Sequence, residues 1–247
     1  MFFKLIACDV FTRELCHAVV SSPHTVDLEF TEKGSHDDSG RLHGIIREKI
    51  DAADNSGKGY DAILLGYGLC GNSTGGLSSG KSRLVIPRAH DCCTLFLGSK
   101  ASFKEHFADN PSRQFTSAGY MERGDDYLKN STFSEEMGIG RTYEEYVELY
   151  GEENARYIME TLDPAMKAGA EDSIIYIDIP ETAHLDFKKR CSEEIEREGR
   201  KFICIPGSIR LLENMVHGNW NDEDFLVLEP GERIVPVYDW DEIIRKG

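Results

Sequence analysis

The hydrophobic positions of this chain fall into two rhythms. Short apolar runs rich in β-branched and aromatic residues read as strands: Phe2-Phe3-Lys4-Leu5-Ile6-Ala7 closed by Cys8, then 61–67, 83–87, 173–178, 201–205 and 225–228. Val26, Leu28 and Phe30 alternate with polar residues and predict a strand over 26–30. Between these runs the apolar positions recur at helical spacing, with Leu15, Val19 and Val20 in 11–20 and Leu42, Ile45, Ile46 and Ile50 in 41–53. Helices are also predicted over 183–198 and 208–217, and another begins near Cys92. The run Asn55-Ser56-Gly57-Lys58-Gly59 signals a turn, and the Gly/Ser-rich stretch 71–82 a loop.

From about 100 to 170 the pattern changes to amphipathic helices, near 101–108, 142–150 and 152–168, rich in acidic residues and tyrosine. The segment around Pro236 to Trp240 reads as an edge or a cap. Strands alternating with helices predict a Rossmann-like three-layer α/β fold, with about six strands in one mostly parallel sheet. No linker composition divides the chain. The expectation is a single α/β domain over 1–247, with residues 100–170 as a helical insertion within it.

Composition narrows the function classes. Hydrophobic content of 40% and charged content of 29% are ordinary for a globular protein. No apolar run approaches the roughly 18 residues of a membrane span. The first residues lack the pattern of a secretory signal, so the cytoplasm is the expected location. The net charge of −16 is unevenly placed, because residues 1–123 carry 14 basic against 15 acidic side chains and the remainder carries −15. An acidic body repels phosphate backbones, which argues against nucleic acid as a partner.

Seven cysteines, an odd number in a chain expected in the cytoplasm, point to metal or redox chemistry rather than a disulfide framework. Cys16, Cys191 and Cys204 sit in apolar or amphipathic settings and read as small buried hydrophobes. Four ligand-type residues stand instead where strands end. Cys8 closes the first strand, Cys70 follows the strand 61–67, and His90 and Cys92 follow the strand 83–87. In an open parallel sheet such ends converge on one crevice. Cysteine sulfur and histidine nitrogen are the ligands of zinc and of similarly soft metals, so the expected site holds one transition metal, zinc or iron. A helix starting at Cys92 would also lower that thiol's pKa. Around this set, His36 is a candidate ligand or acid/base group, Asn72 a turn former or ligand contact, and Tyr120 a pocket wall. Arg88 is expected to bind an anion or to pair with Asp91, which in turn could orient His90.

Gly75-Gly76-Leu77-Ser78-Ser79-Gly80-Lys81-Ser82 satisfies the phosphate-loop pattern, but its context is wrong. Such a loop needs a helix starting at its Lys-Ser, whereas here the strand Arg83-Leu84-Val85-Ile86-Pro87 follows. It reads as a Gly/Ser connection.

Several blocks carry a family resemblance. They include Ile6-Ala7-Cys8, Tyr67-Gly68-Leu69-Cys70-Gly71-Asn72, Pro87-Arg88-Ala89-His90-Asp91-Cys92, Ser117-Ala118-Gly119-Tyr120 and Tyr150-Gly151-Glu152-Glu153-Asn154-Ala155. Over most of its length the chain resembles the family catalogued as domain of unknown function 1638. Cys8, His36, Cys70, His90 and Cys92 occupy its motif positions. Cys93 stands where an apolar residue is usual and Tyr120 where a Trp is common, and Gly80-Lys81-Ser82 lies outside the pattern. The resemblance implies an anaerobic setting in the company of corrinoid-dependent methyl transfer.

The functional expectation is therefore a metal-binding protein with a Cys/His site at sheet strand ends. It would act as an enzyme or an accessory factor in corrinoid-linked methyl transfer. Its partner would be a small molecule or a corrinoid methyltransferase protein, with any corrinoid supplied only through that partner, and a homo-oligomer is compatible. Two alternatives stay open: a metal-free thiol oxidoreductase using Cys92 and Cys93, and a non-catalytic binding or metal-delivery module.

Overall fold

A computed structural model describes residues 1–33, 35, 39–108, 110, 113–124, 147, 152, 173–237, 239 and 241–247. His36 and the helices expected over 142–150 and 152–168 lie outside the described residues, save single positions.

Five strands form the main sheet. Strands β1 (Phe2–Cys8), β2 (Thr25–Thr31), β3 (Ala62–Gly66) and β4 (Arg83–Pro87) pair in parallel in the order β2-β1-β3-β4. A fifth strand, Phe225–Leu228, adds to β4 antiparallel. The apolar runs of β3 and β4 are near-continuous, and that of β1 is interrupted only by Lys4, which pairs with Glu29, because both faces of a parallel sheet are covered. On one face Phe3, Leu5, Ala7, Leu64 and Val85 pack against helix α1 (Thr12–Ser21) and against Leu211, Leu212, Met215 and Val216 of the helix Arg210–Val216. On the other, Ile6, Ile63, Leu65, Leu84 and Ile86 meet Leu42, Ile46 and Ile50 of α2 (Ser39–Asn55). The fold is thus α/β with helix, sheet and helix layers, as the sequence pattern predicts.

One feature of the sheet differs from the expectation. Strands Ser173–Asp178 and Lys201–Pro206 do not join the main sheet. They pair in parallel with each other and with a short strand, Phe115–Ser117, to make a second, three-stranded sheet. In chain order these are β5 (Phe115–Ser117), β6 (Ser173–Asp178) and β7 (Lys201–Pro206), and Phe225–Leu228 is β8. The inner face of the second sheet, with Ile175, Ile177 and Ile205, shares a core with Phe96, Phe103 and Phe107. Those phenylalanines come from α3 (Cys92–Leu97) and α4 (Lys100–Phe107). Its outer face is covered by Cys191 and Ile195 of α6 (Phe187–Arg197), which packs on Ile174 and Tyr176. A short helix, α5 (Ala118–Glu122), follows β5 directly; Arg210–Val216 is α7. The tail forms a two-stranded ribbon, Ile234–Pro236 with Ile244–Lys246, which covers the α2 face with Ile234 and Ile244.

Among the described residues no helix is long and apolar enough to cross a membrane.

Candidate functional site

From β1 the chain runs out to the edge at β2, then returns to the far side of β1 to lay down β3 and β4. The strand order therefore reverses between β1 and β3, and a crevice must open at the carboxyl ends of those two strands. A pocket of about 250 Å³ lies there. Cys8 from the end of β1, Thr31 and Lys33 from the end of β2, Gly66 and Tyr67 from the end of β3, and Asp91 and Cys92 after β4 all line it. Phe115 and Tyr120, from β5 and α5, form the opposite wall.

Local chemistry brings the thiols there. After β3 the chain bends back so that the Leu69 and Cys70 amides donate to the carbonyls of Ala89 and His90, at 2.8 and 2.9 Å. That approach requires Gly68, because a Cβ there would stand 2.6 Å from the Asp91 nitrogen. Asp91 caps α3, its Oδ1 accepting from the Thr94 amide at 3.3 Å, which sets Cys92 as the first helical residue. The Cys92 sulfur lies 2.7 Å from the Tyr120 hydroxyl, and Tyr67 hydrogen-bonds Thr31 at 2.8 Å.

The electrostatics of the three thiols are alike. Burial pushes the Cys8 thiol up to about 11, although the amides of Val10 and Asp9 favour its thiolate. Burial, then the Asp91 carboxylate, pushes Cys70 up to about 12, and Cys8 adds to the shift. Cys92 is raised well above its ordinary value by burial, by Asp91 and by Cys70. Asp91 itself is pushed up to about 6 by burial. The expected lowering at Cys92 by a helix N-terminus is thus reversed: α3 has only six residues, and desolvation together with Asp91 outweighs its dipole. Burial is the main cause at all three thiols, Cys8 adds to the shifts of Cys70 and Cys92, and a positive charge within the pocket would favour their thiolates, as Lys33 does for Cys8. A divalent metal is such a charge, and three soft sulfurs around one crevice fit it as a donor set. Among the described residues, no three His, Cys, Asp or Glu side chains already stand as a group able to hold a metal ion.

The structure thus brings Cys8, Cys70, Cys92 and Tyr120 together. His90 does not line the pocket; its ring packs against Phe103, with centroids 5.4 Å apart. Arg88 neither meets Asp91 nor faces the pocket. Its guanidinium donates to the carbonyls of Asp222 at 2.9 Å, Glu242 at 3.2 Å and Ile244, tying the tail to the end of β4. Asn72 is exposed in a left-handed conformation, φ 73°, which is a turn-forming role. Cys93 points into the core with its thiol pushed far up by burial, and does not line the pocket. Cys191 is buried as expected, but Cys16 and Cys204 are exposed. Sequence reading missed Lys33, Thr31 and Tyr67; their signal is position, within a few residues of strand ends at the switch point.

The Gly/Ser loop is a connection. Its Gly80, Lys81 and Ser82 amides are filled by the Asp54 carboxylate, at 2.6, 3.1 and 3.1 Å, where a phosphate loop would hold phosphate.

A family model described as protein of unknown function (DUF1638) matches residues 30–216. The chain belongs to the DUF1638 family. No curated protein and no solved structure matches it. The match spans most of the DUF1638 pocket lining, including Cys70, Asp91, Cys92 and Tyr120, whereas Cys8 and Phe11 precede it.

Backbone strain marks one of these residues. Cys70 adopts φ 46°, a left-handed conformation that costs a non-glycine residue about 1 kcal/mol. Cys70→Gly is expected to unfold in urea at least as late as the wild type, by up to about 1 kcal/mol, because glycine's gain there exceeds its unfolded-state entropy. Cys70→Ala keeps the strain and should show no such gain.

Proposed function

We propose that this protein binds one transition metal, zinc or iron, through the thiolates of Cys8, Cys70 and Cys92. The observation that carries the reading is the convergence of three thiols from three strand ends on one switch-point pocket. Burial, with Asp91 at Cys70 and Cys92, makes each a poor thiolate alone and a better one beside a cation. His90 is left out of the ligand set, since its ring is packed on Phe103. Tyr67 and Tyr120 line the same pocket and would bound the space beside the three thiols.

When bound, the metal would hold a thiolate ionised at neutral pH and make it a methyl acceptor. The residues of the chain would supply the rest. Tyr120 orients the Cys92 sulfur through its hydroxyl, Phe11, Leu42 and Phe115 exclude water, and Lys33 brings a positive charge that favours the Cys8 thiolate. With the setting that the family resemblance implies, the reaction class we assign is corrinoid-linked methyl transfer. The protein would be either the catalyst or an accessory factor, and a corrinoid methyltransferase protein or a small molecule its partner.

Elemental analysis of protein purified without oxygen tests the reading. Roughly one zinc or iron per chain is expected in the wild type and in the exposed-cysteine control Cys16→Ser, and little in Cys70→Ser or Cys92→Ser. A wild type that takes up no metal when offered it, or a Cys70→Ser variant that retains all of it, would sink the proposal.

A further inference from the structure

Glu14, on α1, is fully buried, and neither carboxyl oxygen has a hydrogen-bond partner. A buried carboxylate with no donor is costly, so the group stays neutral unless its surroundings move. Besides α7, which packs along α1, three elements meet near its start. α1 packs against the 3-10 turn Pro180–Leu185, and α5 packs against both that turn and the Asp9–Phe11 turn that precedes α1. On the 180–185 turn Glu181 also has a buried oxygen, Oε2, without a partner.

The charged groups that reach Glu14 do not offer it a counter-ion. They are Glu122 on α5, Arg13 on α1 and Glu181 on the turn; the Tyr176 hydroxyl of β6 is coupled to it as well. Arg13, the one cation among them, is committed to Glu122, its Nε donating to the two carboxylate oxygens at 2.9 and 2.8 Å. Burial is the main cause that pushes the Glu14 carboxyl up to about 7, with Glu122 and Glu181 adding to it.

We propose that Glu14 is a proton-operated latch on the pocket wall. Neutral, it lets α1, α5 and the 180–185 turn close on one another; ionised, it forces that junction apart. The motion reaches the pocket because α5 carries Tyr120, whose hydroxyl meets Cys92. The latch requires no metal and stands apart from the metal reading.

The direction of the pH effect follows from which state holds the proton. The folded chain keeps it up to about pH 7, whereas the unfolded chain releases it near 4.5. The contribution of Glu14 to stability is therefore greatest below about 4.5. It falls roughly tenfold in the folding constant per pH unit as pH rises towards 7, and levels off above that.

Urea unfolding of wild type and Glu14→Gln from pH 5 to 8.5 tests this, combined with hydrogen exchange of residues 118–122 and 180–185 at pH 6 and 8. Relative to the wild type, Glu14→Gln should gain about a hundredfold in folding constant between pH 5 and 8. The wild type should lose protection at both segments at the higher pH after correction for intrinsic exchange, and the variant should keep it. Parallel pH curves for the two proteins overturn the proposal. So does a wild type whose 118–122 protection is unchanged by pH. Should Gln fail to fold, Glu14→Met, which removes the polar atoms altogether, must give the same loss of pH dependence.

Discussion

Gly119→Ala is expected to lower the stability of the fold by about 3–4 kcal/mol, with urea unfolding as the measurement. Gly119 lies on α5 between Ala118 and Tyr120, where the helix crosses the turn that follows β1. A Cβ built there stands 1.8 Å from the Val10 carbonyl oxygen and 2.9 Å from its carbon. The obstacle is backbone held between Cys8 and α1, not the end of a flexible side chain, so α5 itself must retreat. That retreat carries Tyr120 away from the Cys92 sulfur, so on the proposed metal reading the variant should lose metal together with stability. Gly44 supplies the contrast. It lies within α2, with open space around its Cα and no positive φ. There Gly44→Ala should stabilise by roughly 0.5–1 kcal/mol through helix propensity alone. Equal effects at the two glycines would mean that α5 is not packed on the Asp9–Phe11 turn.

The contrast between those glycines also shows what kind of information a linear sequence holds. The strands β1, β3 and β4 are legible because a strand covered on both faces is apolar nearly throughout, and each such run is bounded by turn residues. That Cys8, Cys70 and Cys92 meet is legible for the same reason, since each follows such a strand. The second sheet is not legible. The apolar run Ile174-Ile175-Tyr176-Ile177 is of the same kind as those of the main sheet, and its partner β5 has only three residues. Which sheet a strand joins depends on surfaces far away in sequence. His90 and Asp91 show the finer limit. Neighbours at a strand-to-helix turn point apart, and it is Asp91, turned inward as the cap of α3, that lines the pocket while His90 faces Phe103. Arg88 was legible as a charge near the site but not as a tether, because the carbonyls it holds lie more than 130 residues further along.

The same tethering argument leads to the second large effect, at Asp224. This carboxylate is 8% exposed and accepts from Arg210 at 2.6 and 2.9 Å and from the Asn221 side-chain amide at 3.1 Å. Arg210 also donates to the Gly98 carbonyl at 2.9 Å, where α3 ends, and the Arg88 amide donates to the Asp224 carbonyl at 2.7 Å. One ion pair thus clamps the far end of the helix that begins at Cys92, beside the strand end that leads to it. Burial opposes ionisation of Asp224, but Arg210 and Asn221 outweigh it and hold the carboxyl below the usual range. Asp224→Ala leaves a part-buried guanidinium and an amide donor without their acceptor and is expected to cost about 2–3 kcal/mol, less than for a fully buried pair because Arg210 is half exposed. Asp224→Asn keeps the shape and part of the hydrogen bonding and should lose about half as much. Since the folded pKa lies below the unfolded one, the contribution is complete above the ordinary carboxylate range, near pH 4, and disappears as pH falls through the folded value. Acid unfolding of the wild type should therefore steepen below pH 4 in a way that Asp224→Ala does not share. This is opposite in sign to the dependence expected of Glu14, whose contribution weakens as pH rises, so the two variants separate the acidic limb of the stability profile from the neutral one. If Asp224→Ala unfolds with the same acid limb as the wild type, the clamp does not hold α3, and Cys92 must be positioned by Tyr120 and the Asp91 cap alone.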